Sequence, residues 1–200
     1  ESLDKFKYTG TTIFRGKTVA DIGCGAGAFL EYINGVADKV VAIEPSEKYR
    51  TIMKKKGFET FKYASDAKKV YENKLDVITS FDVIEHVEDP QRFVCDYFEL
   101  LKNGGTGIIG TPTEAPVMRK LLGSVYEKKQ LFSTQHLWVL AEKNLRLLAK
   151  NAGFKNTEVK YFQRYGIGNM MGWLREKESR SEIDETIITE TFDNVWKNQL

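Results

Sequence analysis

The chain has 200 residues, 42% hydrophobic and 12% aromatic, enough for one sizeable core and in keeping with a single domain over 1–200. Its 30 basic and 28 acidic residues are scattered and leave a net charge of +2, so neither nucleic acid nor a membrane surface is expected as a partner. Two cysteines exclude a disulfide framework and argue against a bound metal, and no apolar run approaches the roughly 18 residues of a membrane span, so a soluble, cytoplasmic protein is expected.

Taken in chain order, Thr18-Val19-Ala20-Asp21-Ile22 reads as a strand and leads to a helix with Phe29, Leu30 and Ile33 on its apolar face. Val40-Val41-Ala42-Ile43 is a second strand. A helix carrying Tyr49, Ile52 and Met53 stops near Gly57, and a weaker strand over Thr60 to Tyr63 precedes a short helix from Ala67 to Tyr71. Leu75-Asp76-Val77-Ile78-Thr79 reads as a buried central strand, because short β-rich apolar runs without alternation suit a parallel sheet covered on both faces. The next helix runs from Pro90 to Lys102, with Asp89 as its cap, Pro90 in its first turn and Gly104 beyond its end. Gly107-Ile108-Ile109-Gly110-Thr111 is a fifth strand. Leu145, Leu148, Ala149 and Ala152 mark a helix closed by Gly153, and Val159 to Phe162 reads as a sixth strand.

This alternation predicts an α/β, Rossmann-like, doubly wound and mostly parallel sheet with its ligand crevice at the carboxyl ends of the strands. Residues 112–140 interrupt the alternation, and an insertion at that edge is well placed to cover a substrate; the alternative is a connection without such a role.

The loop Asp21-Ile22-Gly23-Cys24-Gly25-Ala26-Gly27 joins the first strand to its helix, where glycines permit a tight turn and close approach to a ligand. Its G-x-G-x-G spacing departs from the G-x-G-x-x-G of dinucleotide sites. A carboxylate at Asp21 would oppose a pyrophosphate but favour the ammonium of an amino-acid tail, which S-adenosylmethionine has and a dinucleotide lacks. Glu44 ends the second strand at close to the roughly 20-residue interval at which an acid meets a ribose hydroxyl in such units. Asp66 follows the third strand, where a carboxylate could accept from the adenine amine, and Ser80 and Phe81 follow the fourth. Cys24 reads as a small filler of the loop.

Three segments resemble successive motifs of class I S-adenosylmethionine-dependent methyltransferases: Val19 to Gly27, Ala42-Ile43-Glu44-Pro45-Ser46, and Phe81 to Pro90. The resemblance runs from about residue 18 to residue 165 and implies a cofactor-binding set of Asp21, Gly23, Cys24, Gly25, Gly27, Glu44, Pro45, Asp66, Ala67, Ser80 and Phe81. It implies S-adenosyl-L-methionine as cofactor and S-adenosyl-L-homocysteine as product. Leu137-Trp138, Asn144 to Leu148 and Ala152-Gly153-Phe154 further resemble the group acting on small molecules and glycan precursors, often in polysaccharide biosynthesis. Members usually carry an N-terminal helical segment and a final antiparallel seventh strand. Only about 17 residues precede the first strand here, and a helical pattern with Phe192, Val195 and Trp196 ends the chain, so a reduced lid and six strands are expected.

Methyl transfer is an in-line displacement that needs a positioned nucleophile and, for a hydroxyl, removal of its proton. His86, just past the fourth strand, is one candidate catalytic base; the alternative is that it orders the turn by bonding backbone or Glu85. His136, in Ser133-Thr134-Gln135-His136-Leu137-Trp138, is the second candidate, as catalyst or substrate binder, against a loop-packing role. Arg164-Tyr165-Gly166-Ile167-Gly168-Asn169, with Trp173 and Arg175, could contact a sugar or phosphate or could pack a helix. The expected acceptor is a small polar molecule, a hydroxyl of a sugar or nucleotide-linked glycan precursor, with N-methylation, RNA or protein substrates, and a non-catalytic cofactor-binding sensor or partner subunit as alternatives.

Overall fold

A computed structural model describes residues 2–113, 119–121, 123–127 and 135–162. Its framework is a five-stranded parallel sheet in the order β3-β2-β1-β4-β5, built from β1 (Thr18–Ile22), β2 (Lys39–Ile43), β3 (Glu59–Phe61), β4 (Leu75–Phe81) and β5 (Leu101–Gly110). Among the described residues the helices are α1 (Ser2–Thr9), α2 (Ala28–Asn34), α3 (Glu47–Lys55), α4 (Ala64–Tyr71), α5 (Pro90–Leu100) and α6 (Glu142–Ala152), with a 3₁₀ turn at Ile84–His86 and a three-residue helical turn at Ser124–Tyr126. The chain reverses its direction of travel across the sheet after β3, which opens the crevice between the carboxyl ends of β1 and β4.

Side-chain alternation decides what each face receives. Val19, Val40, Ala42 and Val77 meet Phe29, Leu30 and Ile33 of α2 and Met53 of α3 in one buried cluster, closed by Phe14 and Phe58. On α5, Phe93, Val94, Tyr97 and Leu100 are buried at helical spacing, and Asp89 caps the helix by accepting from the Arg92 amide at 2.9 Å.

Several boundaries move. The N-terminal stretch forms α1, which no apolar periodicity announced. α5 ends at Leu100 rather than Lys102, because Leu101 turns to extended geometry and pairs with Leu75; the ladder then slips before Val77 meets Thr106, over a stretch containing Gly104 at φ +77°. Val159–Phe162 carries no strand, a correction to the sixth expected one: a strand exists only within a ladder, and no described segment of its own compact unit supplies one. The segment from Arg164 onward, with Trp173, Arg175, Phe192, Val195 and Trp196, lies outside the described residues.

The chain divides into two compact units, Glu1–Thr111 with Asn144–Lys155, and Pro112–Lys143 with Asn156–Leu200. The first holds the sheet. In the second, the Thr113 hydroxyl donates to the Leu140 carbonyl at 2.9 Å and the Tyr161 hydroxyl to Glu142 at 2.8 Å. No helix among the described residues is long and apolar enough to cross a membrane.

Candidate active site

The loop after β1 is held by its own backbone: the Gly23 amide donates to the Ile43 carbonyl at 2.8 Å and the Gly27 amide to the Cys24 carbonyl at 2.9 Å. Gly23, Gly25 and Gly27 all sit at left-handed φ, +75°, +54° and +81°. The three differ in what surrounds them. A Cβ at Gly23 would collide with Val83 and one at Gly27 with Met53, whereas one at Gly25 would meet no protein atom within 4 Å. The outer glycines are therefore demanded by packing, and the middle one opens to the space in front of the loop.

Asp21 lies at the carboxyl end of β1, 4% exposed, directly across from Thr79 in the β1–β4 register. The Thr79 hydroxyl donates to Asp21 Oδ1 at 2.7 Å. Burial pushes the Asp21 carboxyl up to about 7, against the lowering effects of the Thr79 hydrogen bond and of Lys5. Phe81 lies two residues beyond Thr79 and so on the same face, edge-on to Phe29 with centroids 5.0 Å apart. Lys5 of α1 stands 5.2 Å over the Phe81 ring and pairs with Asp82 at 2.9 Å. A cleft is lined by these groups, Lys5, Asp21 and Phe81, together with Gly23, Cys24 and Phe29. The Cys24 thiol is pushed far above its usual range by burial first and then by Asp21 and Glu44, which makes a thiolate role unfavourable.

Glu44, buried at the end of β2, accepts from the Gly25 amide at 2.9 Å through Oε2 and from the Ser46 amide at 2.8 Å through Oε1. Arg50 donates to the carbonyls of Glu44 and Pro45, and Pro45 itself is exposed. Asp66 accepts from the Tyr63 amide at 3.2 Å and so caps α4, while Ala67 is buried in the core. Ser80 is buried and, by strand alternation, faces away from Asp21 and toward the Tyr97 hydroxyl on α5. The cleft thus gathers Asp21, Gly23, Cys24 and Phe81, with Gly25 and Glu44 joined beside it; Asp66, Ala67 and Ser80 do not line it.

Past β4, Asp82 takes a left-handed φ of +58° and its amide donates to the Gly110 carbonyl at 2.8 Å. Glu85 follows, 1% exposed, accepting from the Thr111 hydroxyl at 2.9 Å, and burial raises its carboxyl above the ordinary range. His86 is exposed, its Nε2 3.9 Å from Glu85 Oε1. His136 belongs to the second unit and is half-buried there.

Residues 2–159 match the sequence profile of the methyltransferase domain family. The chain belongs to that family. The ubiquinone biosynthesis O-methyltransferase of Thiobacillus denitrificans is 28% identical over 155 residues, 72% of this chain and 67% of that protein. The enzyme of the same name from Aromatoleum aromaticum is 27% identical over 171 residues, 77% of this chain and 73% of its own length. In structure, an S-adenosylmethionine-dependent methyltransferase from Archaeoglobus fulgidus superposes with a TM-score of 0.66 at 20% identity, covering 99% of this chain and 83% of that one, a likeness of fold. These sequence relatives carry the name of ubiquinone biosynthesis; neither name concerns a glycan.

The protein is an S-adenosylmethionine-dependent methyltransferase, and its residues fit that cofactor. The open space at Gly25 admits close approach of a ligand to backbone, and the buried Asp21 carboxyl offers a counter-charge to an ammonium. Sequence reasoning about the methyltransferase missed Lys5, Thr79, Asp82 and the buried role of Glu85. Thr79 was within a recognised strand, and its register opposite Asp21 was the signal that a pairing argument could have used. Lys5 lies on a helix 77 residues from its partner Asp82, beyond any local pattern.

Proposed function

We propose that this methyltransferase moves the methyl group of S-adenosylmethionine to a hydroxyl oxygen of a small acceptor. The observation carrying the cofactor half of this reading is the buried Asp21 carboxyl beside the open middle glycine: Asp21 would hold the ammonium of the amino-acid tail, Glu44 the ribose hydroxyls and Phe81 an apolar part of the ligand. The cofactor supplies an electrophilic methyl on a sulfonium. The chain's own residues orient the acceptor, exclude water and take up the hydroxyl proton.

His86 is the base in this reading. It follows the central strand at the carboxyl edge, with its Nε2 3.9 Å from the buried Glu85 carboxyl. The acceptor in this reading is a free small molecule rather than nucleic acid. The names of the relatives favour a hydroxylated ring of the kind found in ubiquinone precursors over the sugar or nucleotide-linked glycan suggested by the sequence alone.

The test is release of adenosylhomocysteine across parallel panels of hydroxylated aromatic rings, sugars and nucleotide sugars. Turnover with ring hydroxyls supports the proposal, and turnover confined to amines overturns it. With an active acceptor, His86→Ala should lower kcat by about 100-fold while leaving adenosylhomocysteine affinity within about 2-fold; unchanged kcat removes His86 from the role of base.

A further inference from the structure

We infer that Thr79, which does not line the cleft, is a positioning residue that holds the Asp21 carboxylate in its charged form for the cofactor's ammonium. The inference rests on the cofactor assignment and adds to it a residue buried beneath the ligand.

Register and burial carry the argument. Thr79 pairs with Asp21 across the parallel β1–β4 ladder, so the two side chains leave the sheet on the same face. Thr79 is fully buried. Its hydroxyl has one proton and two acceptors in reach, Asp21 Oδ1 at 2.7 Å and the Ala20 carbonyl at 3.4 Å, and the shorter contact to the potential anion is the stronger. A valine there would fill nearly the same volume and satisfy the same strand geometry. The hydroxyl therefore contributes something that packing does not require, and a donor aimed at a carboxylate favours its ionised form.

The need for such a donor follows from the other groups that face Asp21. Burial opposes its charge, and Glu44, just past β2, adds repulsion. Cys24 in the loop and, across the sheet, Tyr97 on α5 are raised by burial first and further by the charge of Asp21, and so remain neutral. Lys5 on α1 is the favourable cation, but it is shared with Asp82 at 2.9 Å. Thr79 acts from within the sheet, where nothing must move for it to do so. It also fixes which oxygen is tied down, so Asp21 presents its carboxyl to the cleft in one orientation.

The experiment measures adenosylhomocysteine affinity by calorimetry from about pH 5.5 to about pH 8.5 for the full chain and for Thr79→Val, Thr79→Ala and Thr79→Ser, with the Asp21 carboxyl followed by NMR titration in the ligand-free proteins. In the wild-type chain affinity should rise with pH as Asp21 ionises. Thr79→Val should move that rise and the NMR midpoint upward by about one pH unit, giving about 10-fold weaker binding near pH 5.5 and about 5-fold at pH 7, which converges on wild type at the alkaline end. Thr79→Ala, which also lacks the hydroxyl but introduces no new shape, should move the midpoint in the same sense if Thr79→Val does not fold. Thr79→Ser should restore the wild-type profile. An unmoved midpoint in the hydroxyl-free variants, or a loss of affinity equal at every pH, overturns the inference. Absence of adenosylhomocysteine binding by the wild-type chain would instead count against the cofactor site itself, while the NMR midpoints would still decide the role of Thr79.

Discussion

The glycine loop and the 112–140 insertion differ in how tightly their residues are committed. In the loop, each feature has a partner that explains it: Gly23 faces Val83, Gly27 faces Met53, Gly25 is anchored to Glu44, and Asp21 to Thr79. In the insertion, Arg119 pairs with Glu127 at 2.6 Å between partly exposed side chains, a contact of a kind that contributes little to stability. Chemistry common to every acceptor can be built into rigid backbone, and in such folds specificity is commonly carried by loops grafted onto it.

The largest expected effect that would sharpen this contrast is at Asp21. Asp21→Asn keeps an acceptor for Thr79 but removes the charge, and adenosylhomocysteine binding should weaken by about 100-fold or more in calorimetry, the loss of a buried charge-assisted contact of about 3 kcal/mol. The same variant should be more stable in the ligand-free state. Because folding raises the Asp21 carboxyl from 3.8 to about 7, its ionisation costs stability progressively as pH rises between these values. Urea unfolding should therefore show Asp21→Asn ahead by a few kcal/mol at pH 8 and level with wild type near pH 4. Equal stability at both pH values would break the claim that this carboxyl is held against its own preference.

Next in size are the glycines. Gly23→Ala and Gly27→Ala must displace Val83 or Met53 and also occupy left-handed backbone, so each should cost about 2–4 kcal/mol in denaturant unfolding. Gly25→Ala bears only the backbone strain, about 1 kcal/mol, yet should weaken cofactor binding by about 10-fold because its new methyl enters the ligand's side of the loop. A Gly25→Ala variant with full affinity would mean that the open face of the loop is not where the cofactor lies.

The smallest effect is expected at Lys5. Its pair with Asp82 is partly exposed, so Lys5→Ala should change stability by less than about 1 kcal/mol. Adenosylhomocysteine affinity at pH 7 should change only a few-fold, since Lys5 lowers the Asp21 carboxyl but stands behind burial and Thr79 in effect.

What the sequence disclosed follows from the range over which each cause acts. The first strand, its glycines and Asp21 are contiguous, and the capped α5 carries its own start signal in Asp89 and Pro90, so these were legible in short windows. For Ser80 the sequence showed the end of the strand but not its face, because only the Thr79–Asp21 register puts its side chain on the side of the sheet opposite Asp21. Asp66 also caps α4 by accepting from the Tyr63 amide, a contact that local sequence allows. Lys5 and Thr111 act across 77 and 26 residues, on Asp82 and Glu85 respectively, and no periodicity connects them.

The bidentate grip of Glu44 on the Gly25 and Ser46 amides ties the turn after β1 to the turn after β2 through a single side chain. Such a strut makes two halves of a recognition surface mechanically one: an adenosine fragment and a methionine fragment, each too small to span it, would not bind as independent tenants. Their joint affinity should exceed the product of the separate ones even without a covalent link between them, because the first arrival stiffens the ground on which the second must settle.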